Sequence, residues 1–260
     1  MTTYRLGLLI AGLFAFVLTL FVNIPADRSL SLFRGMIPSA VNWQRISGTV
    51  FHPVFHQVTI RLADGRMLQL DGVNIVISPL QLLPGGKGLK TEVMLAGGNT
   101  VAWIKPGLGG WQLHSVTGDL FLYHLADLSS FVGGLGVNGH VSFKGSDITG
   151  DYQGLLFSGE LGISIVDMQL KQLDASGPLG NYTADLRIVD GTVQGNVATS
   201  SADARLHLQG QLILKLSERT AGFTGDAAVS DSAPSAVYGM LPLLGPIENG
   251  RARINWQTRL

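Results

Sequence analysis

The feature that most constrains this chain is an uncharged, strongly apolar run from residue 6 to residue 24, LGLLIAGLFAFVLTLFVNI. A run of about 18 or more apolar residues can cross the hydrocarbon core of a bilayer as a helix. A helix also satisfies its own backbone hydrogen bonds, which lipid cannot do. We therefore predict one transmembrane helix within an N-terminal anchor, residues 1–27. The residues assigned to this anchor are Leu6, Leu9, Leu13, Phe16 and Leu20.

A cleaved signal peptide is the alternative interpretation of the N-terminus. Arg5 would form its positively charged start, and cleavage would follow Ala26. However, Ile24 and Pro25 make a poor cleavage site, and the apolar run exceeds the ~7–15 residues of an ordinary signal-peptide core. An uncleaved anchor is therefore favoured. The flanking charges do not fix orientation, but the N-terminal flank is very short, so we expect the bulk of the chain outside the cytoplasm.

After the anchor, the sequence changes to short runs in which apolar and polar residues alternate. Examples are Val58, Ile60 and Leu62; Val73, Ile75 and Ile77; and Ile254 and Trp256 near the end. Alternation with a period of two predicts strands with one buried face, and about a dozen such strands can be counted. Turn signals such as Asp190-Gly191 and Asn249-Gly250 separate them. We predict a mainly β fold of antiparallel curved sheets or a sandwich, because strands do not alternate with helices as in a parallel sheet.

Three segments interrupt the strand pattern. The juxtamembrane segment, residues 28–42, contains a stretch (28–40) with the apolar spacing of a short amphipathic helix or turn. Residues 125–135 and 235–244 also have helical spacing. We therefore expect two short helices within the β body.

The two helical segments of the body have similar surroundings in the sequence. Each follows a strand that begins with Thr-Gly-Asp, at residues 117–119 and 224–226, and each precedes an Asn-Gly turn and a further strand. This pattern indicates an internal duplication, with a first β half at 43–146 and a second at 147–260. Chance similarity in a chain with 34 glycines is the alternative.

The composition excludes several classes of function. Lys plus Arg and Asp plus Glu both number 18, so the chain lacks the basic stripe expected of a nucleic-acid-binding protein. The absence of cysteine excludes disulfides and thiolate metal sites. Only 14% of residues are charged and the mean hydropathy is +0.30, which is unusually apolar for a water-exposed body.

One glycine pattern resembles a dinucleotide-binding motif. Gly134, Gly136 and Gly139 match G-x-G-x-x-G. That motif needs a strand before it and a helix after it, because the helix N-terminus holds the pyrophosphate. Here the predicted order is reversed, so the glycines are interpreted as a tight corner between a helix and a strand. No cofactor is expected.

The candidate metal and acid–base residues are equally weak. His52 and His56 are four residues apart, but Pro53 lies between them in a strand-like stretch and prevents a shared helix face. Asp147 and Asp151 could form a carboxylate pair, but the sequence SDITGD is more typical of a turn. We predict no metal site and no catalytic residue, and an enzyme is the least favoured class.

Aromatic residues on or beside the strands are better candidates for contact. The residues selected as structural or interaction aromatics are Trp43, Phe51, Trp103, Trp111 and Trp256. Such side chains most simply anchor a core or a sheet face. The alternative is an exposed apolar groove that meets a partner or lipid.

The chain also resembles protein N of the bacterial type II (general) secretion pathway. The matching elements are Pro25-Ala26 after the anchor, Ser47-Gly48-Thr49-Val50-Phe51, Ser78-Pro79-Leu80 with Leu82-Leu83, Leu179-Gly180-Asn181-Tyr182, and the run from Leu244 to Arg251. Phe51 stands where the family usually has Trp. The resemblance implies an inner-membrane protein without catalytic residues, whose periplasmic β domain assists export of folded proteins across the outer membrane.

These observations predict an accessory or assembly subunit of a type II secretion system that acts by protein–protein contact. Its expected partners are inner-membrane components of that machinery, and its expected contact with the bilayer is through residues 6–24. An extended partner segment would add to a strand edge or lie on a sheet face. The alternative function is lipid handling, with lipid on an apolar sheet face.

Overall fold

The computed structural model describes residues 24–33, 40–61, 67–78, 81, 86–95, 98–125, 136–151, 155–170 and 177–259. The predicted anchor residues Leu6, Leu9, Leu13, Phe16 and Leu20 lie outside these ranges, as does all but the first residue of the helical segment predicted at 125–135. Within the described ranges, no helix combines the length and the apolar character needed to span a bilayer.

The described residues contain fourteen strands and four short helices. The strands are β1 (Val41–Thr49), β2 (His52–Arg61), β3 (Met67–Val76), β4 (Leu89–Leu95), β5 (Gly98–Pro106), β6 (Trp111–Phe121), β7 (Val137–Gly150), β8 (Leu156–Leu170), β9 (Gly180–Val189), β10 (Thr192–Thr199), β11 (Leu206–Lys215), β12 (Thr220–Val229), β13 (Ile247–Glu248) and β14 (Arg251–Arg259). The helices are α1 (Ala26–Phe33), α2 (Leu122–Leu125), α3 (Ser235–Tyr238) and α4 (Leu241–Leu244). The predicted mainly β, antiparallel fold is confirmed, but the strands within each compact unit described below lie in one sheet, so the sandwich alternative is wrong.

The chain divides into two compact units, Met1–Leu95 and Ala96–Leu260. In the first unit, β1, β2, β3 and β4 are neighbours in that order and pair antiparallel. Val58 and Leu70 are opposite each other on β2 and β3, and both are buried. The turn between β1 and β2 requires glycine, since Gly48 has a φ of 85° and a Cβ there would lie 2.1 Å from the His52 carbonyl oxygen.

In the second unit, β5 to β12 are neighbours in chain order, β14 lies beside β12, and β13 lies beside β14. The pairs are antiparallel. Two predicted tight turns are confirmed. Asp190-Gly191 and Asn249-Gly250 have positive φ at both residues, as a two-residue hairpin turn between twisted strands requires.

The two Thr-Gly-Asp sequences lie at equivalent places in the second unit. The first is in β6, which leads to α2 and then to β7; the second is in β12, which leads to α3, α4 and then β14. Gly118 is opposite Phe143, and Gly225 is opposite Ile254. The register is equivalent at the two places, and the internal duplication with its half boundaries 43–146 and 147–260 stays a prediction. Helices α3 and α4 fall within the predicted helical segment 235–244.

Buried apolar residues of the second unit form two clusters. The first, named the closed section, consists of Leu179, Leu206, Ala227, Val237, Leu241, Ala252 and Ile254. The second, named the open section, consists of buried Ile148, Leu186, Ile188 and Val193 with the half-buried Leu113, Val116, Leu161, Ile163, Leu212 and Leu214 around them. Most of these residues alternate with polar residues along their strands, so burial follows the pattern that predicted the strands.

Candidate interaction surfaces

The selected aromatic residues are held within the sheets by different contacts. Trp43 on β1 meets Phe55 on β2 edge to face, with ring centroids 5.4 Å apart. The Trp111 Nε1 donates a hydrogen bond to the Asp151 carbonyl oxygen at 2.9 Å, and its ring packs against the open section. These contacts suit sheet anchors.

The other three selected aromatics differ in exposure. Phe51 lies in the turn between β1 and β2, and Trp103 lies on β5; both are half-buried. Trp256 on β14 is opposite Phe223 and is 38% exposed. Trp256 is therefore the selected tryptophan that offers the most surface for contact with a partner.

Three titratable side chains considered in the sequence, His56, Asp147 and Asp151, contact residues of strands and turns. His56 shares a hydrogen bond with Ser47 at 2.8 Å, and the exposed His114 Nδ1 lies 3.3 Å from the Asp147 Oδ1. The Asp151 Oδ1 accepts the Leu155 backbone N–H at 2.9 Å, as its predicted turn role requires. Among the residues that the structure describes, no three His, Cys, Asp or Glu side chains form a group suited to a metal ion.

Among the residues that the structure describes, Tyr182 and Glu92 have perturbed pKa values, and both shifts have structural explanations. Burial raises the pKa of Tyr182, whose hydroxyl donates to the Leu206 carbonyl oxygen at 2.7 Å. The hydrogen bond from Lys90 Nζ lowers the pKa of Glu92, and a second one from Asn74 acts in the same direction. Tyr182 therefore joins β9 to β11, and Glu92 is stabilised as a carboxylate on a half-exposed strand surface.

The sheet of the second unit has one apolar and one polar face. Along β9, the alternate residues Leu186 and Ile188 are buried, while Asp185 and Arg187 are exposed. Neighbouring strands have the same two faces. Leu161 on β8 and Leu212 on β11 lie on the apolar face, and Glu160 on β8 lies on the polar face. Each face can therefore contact a chemically different partner.

Helices cover the apolar face at the closed section. Val237 of α3 and Leu241 of α4 pack against Ala227 on β12 and Ala252 on β14. Val237 and both alanines are 0% exposed. Small side chains on the two strands allow the helices to approach closely, so this part of the apolar face is a buried, closely packed core.

The open section has a different covering. The residues that pack on its buried members belong to strands β6, β8, β9 and β11 and to their adjoining turns. Six of its ten members remain half-buried. A contiguous apolar surface that keeps part of its area in contact with water is a candidate site for a protein or lipid partner.

The polar face carries a row of aligned residues across β7 to β11. Its members are Lys144, Gly162, Asp185, Asn196 and Gln211. Two adjacent depressions of about 680 Å³ each share Lys144, Gly162 and Asp185 in their lining. A Cβ added at Gly162 would have no atom closer than 3.8 Å, so the polar face is open above this glycine. The row offers hydrogen bonds and single charges of both signs to a polar partner.

The sequence did not predict that these residues form two surfaces. Alternation predicted only that they belong to strands. Aromatic content drew attention to single tryptophans, whereas Leu161, Ile163 and Leu212 belong to an apolar cluster that joins several strands. Alternation signals the face of each strand, but the neighbours of that strand decide which residues lie together.

The comparisons with known proteins give one result. A family model described as type II secretion system (T2SS), protein N, matches residues 39–255. Searches of the curated proteins and of the solved structures return no match.

Proposed function

Because this chain belongs to the family of type II secretion system protein N, we propose that it is a non-enzymatic accessory or assembly subunit that acts by protein–protein contact. The family match carries this proposal, since it covers nearly all of the β body. The matched region includes the polar face and the open section, which are suited to contact.

We further propose that the subunit is held in the inner membrane by residues 6–24, with the β body in the periplasm. The apolar run supports this placement because its length suits a single helical span. A secretion component of the cell envelope has partners in that membrane. Tethering would raise the local concentration of the β body beside them.

The test is co-purification of the full chain from detergent-solubilised membranes. We expect inner-membrane components of the type II machinery to elute with it, identified by mass spectrometry. A matched anchor variant, Leu13→Lys with Phe16→Lys, should move the protein out of the membrane fraction, because lysine at the centre of a span is costly. Recovery of the native protein alone would contradict the proposal.

Lipid handling is a second candidate function, and the open section is the observation that favours it. Its half-buried leucine and isoleucine side chains form an apolar surface on which an acyl chain could be shielded from water. The opposite face of the same strands is polar, so one side of the sheet would hold lipid while the other stays hydrated.

Opposite faces of one strand provide the control for this second candidate. Ile163 and Ser164 are adjacent on β8 and point to opposite sides of the sheet. If lipid binds the open section, Ile163→Asp should lower the amount of phospholipid retained by the purified full chain, and Ser164→Asp should not. Native mass spectra in which the unmodified protein carries no lipid would contradict this function.

A further inference from the structure

The outer side of β14 is paired for only part of its length. On its inner side, β14 pairs with β12 from Arg251, opposite Ala228, to Arg259, opposite Thr220. On its outer side, the short strand β13 pairs only with Arg251 and Ala252. One further hydrogen bond runs from the Arg253 N–H to the Pro246 carbonyl oxygen at 2.9 Å. Beyond Arg253, no described segment pairs with this side.

The backbone groups of the remaining edge point outward. Because the Arg253 N–H bonds on the outer side and strand residues alternate, the N–H groups of Asn255 and Gln257 point to the same side. The described part of the chain provides no backbone partner for these two residues there. An edge with exposed donors and acceptors is a template for an added strand.

The side chains of this edge differ between the two faces. Trp256 is on the apolar face and partly exposed, while Asn255, Gln257 and Arg259 are exposed on the polar face. A strand added here would therefore lie beside one large apolar side chain and a set of polar ones. Its own apolar and polar residues would have to alternate in the same way.

The charges along β14 are compensated at one end only. Arg253 forms an ion pair with Glu248 at 3.3 Å and lies opposite Asp226. Arg259 is exposed and opposite Thr220, and no acidic side chain pairs with it in the described residues. The open end of the edge thus presents a cation that an acidic residue of a partner would complement.

The sequence of the chain's own edge strands argues against a second copy as the occupant. The outer strand of the first unit, β1, has the sequence VNWQRISGT, which contains arginine and no acidic residue. A second β14, RARINWQTR, would place arginines near arginines. Like charges opposite each other destabilise a strand pair.

We propose that the edge of β14 from Asn255 to Arg259 is a docking site for an extended segment of another component of the secretion machinery. The segment adds as a strand, places an apolar residue beside Trp256 and an acidic residue beside Arg259. This proposal rests on the proposed function, because it takes the partner from the same machine.

The first experiment places the photo-crosslinking residue p-benzoylphenylalanine at Gln257 in the full chain within its native membranes. The matched control carries it at Gln112, which is exposed on the same polar face but lies on the interior strand β6. We expect a crosslinked product at 257 that is about fivefold or more as abundant as at 112. Mass spectrometry should identify it as a secretion component, joined through a segment with alternating apolar and acidic residues.

The second experiment tests the backbone contact. Gln257→Pro removes the outward N–H without removing a bond to β12, and edge strands tolerate such a proline. Gln257→Ala keeps that N–H and serves as the control. Loss of one hydrogen bond predicts about tenfold weaker recovery of the partner with Gln257→Pro and little change with Gln257→Ala.

The charge is tested by Arg259→Glu, which should reduce recovery of the partner about tenfold. Arg61→Glu, at the exposed end of the interior strand β2 and opposite Met67, should have little effect. Circular dichroism checks folding of each variant. If Gln257→Pro does not fold, the crosslinking comparison decides the proposal.

The outcomes separate this proposal from the proposed function. If the native chain recovers secretion components but position 257 crosslinks no better than 112, the docking site is wrong and the proposed function stands. A product that contains two copies of this chain also overturns the docking site. If no secretion component is recovered by the native chain, both proposals fail.

Discussion

The closed and open sections have the same strand pattern but different burial. At the closed section, α3 and α4 lie on the strands, and Ala227, Val237 and Ala252 are fully buried. At the open section, strand and turn residues supply the packing, and most members stay half-buried. The difference shows that alternation makes a face apolar, whereas a covering element decides whether that face becomes core or surface.

The residues on the two sections also differ in size. The closed section uses alanine on β12 and β14, where the helices approach, and glycine would leave a gap there. The open section has leucine and isoleucine on β8, β9 and β11. Large side chains can cover one another partly without a second layer, which explains why this section contains both buried and half-buried members.

The largest effect is expected where a charge enters the closed section. Val237→Asp would place a carboxylate at a site that is 0% exposed and would lower the free energy of unfolding by about 4 kcal/mol or more. Leu243→Asp, on α4 but 84% exposed, should change it by less than about 0.5 kcal/mol. Urea unfolding followed by circular dichroism measures both. Equal effects of the two substitutions would show that the helices do not close this section.

A smaller effect should distinguish the two sections along one strand. Leu206 and Leu212 both lie on β11 and face the same side, but Leu206 belongs to the closed section and Leu212 to the open one. Leu206→Ala should cost about 2–5 kcal/mol, as for a buried leucine. Leu212→Ala should cost about half as much, because part of its surface already meets water. The difference between the sections would be contradicted if Leu212→Ala proved the more costly in urea unfolding.

The sequence allowed much of the fold to be predicted because the relevant signals are local. Alternation predicted the strands, the Asp-Gly and Asn-Gly pairs predicted the turns at residues 190–191 and 249–250, and helical spacing predicted α3 and α4. The small residues of the closed section carried no comparable signal. Ala227 and Ala252 are conspicuous only once Val237 is placed against them, and that contact joins separate strands and a helix.

The candidate surfaces were less predictable for the same reason. The outer edge of β14 has no described backbone partner beyond Arg253 because β13, which begins directly after Pro246, is only two residues long. The residue types at 255–259 do not predict this geometry, which depends on the length of the preceding strand. Likewise, Asn181-Tyr182 matched a family element, but the buried hydrogen bond of Tyr182 to β11 depends on long-range register.

Tyr182 connects the strands beside the closed section and gives a pH-dependent prediction. Tyr182→Phe removes the hydroxyl that donates to the Leu206 carbonyl oxygen and should cost about 1–2 kcal/mol near neutral pH. Burial raises the pKa of Tyr182 in the folded protein, so above the ordinary tyrosine pKa of about 10 the unfolded chain releases the proton first. The contribution of this tyrosine to stability is therefore present below about pH 10 and declines as pH rises above it.

Urea unfolding at a series of pH values measures this decline. Between about pH 10 and 11 the native protein should lose up to about 1.4 kcal/mol more stability than Tyr182→Phe. The phenylalanine side chain has no proton to release. The other groups of the variant titrate at alkaline pH as they do in the native protein. Tyr238→Phe, at a tyrosine that is 41% exposed, is the matched control and should behave like the native protein. Parallel curves for the native protein and Tyr182→Phe would show that the hydroxyl is not buried.

The smallest effect is expected on the polar face behind the open section. Arg187 and Glu160 approach to 3.6 Å, but both side chains are largely exposed, so water and salt screen their attraction. Glu160→Gln should therefore change the free energy of unfolding by less than about 0.5 kcal/mol and should remove any dependence of this pair on salt. Leu161→Ala, at the next residue on the open section, should cost more, because part of an apolar contact is lost. If Glu160→Gln were the more destabilising of the two, the polar face and not the open section would hold these strands together.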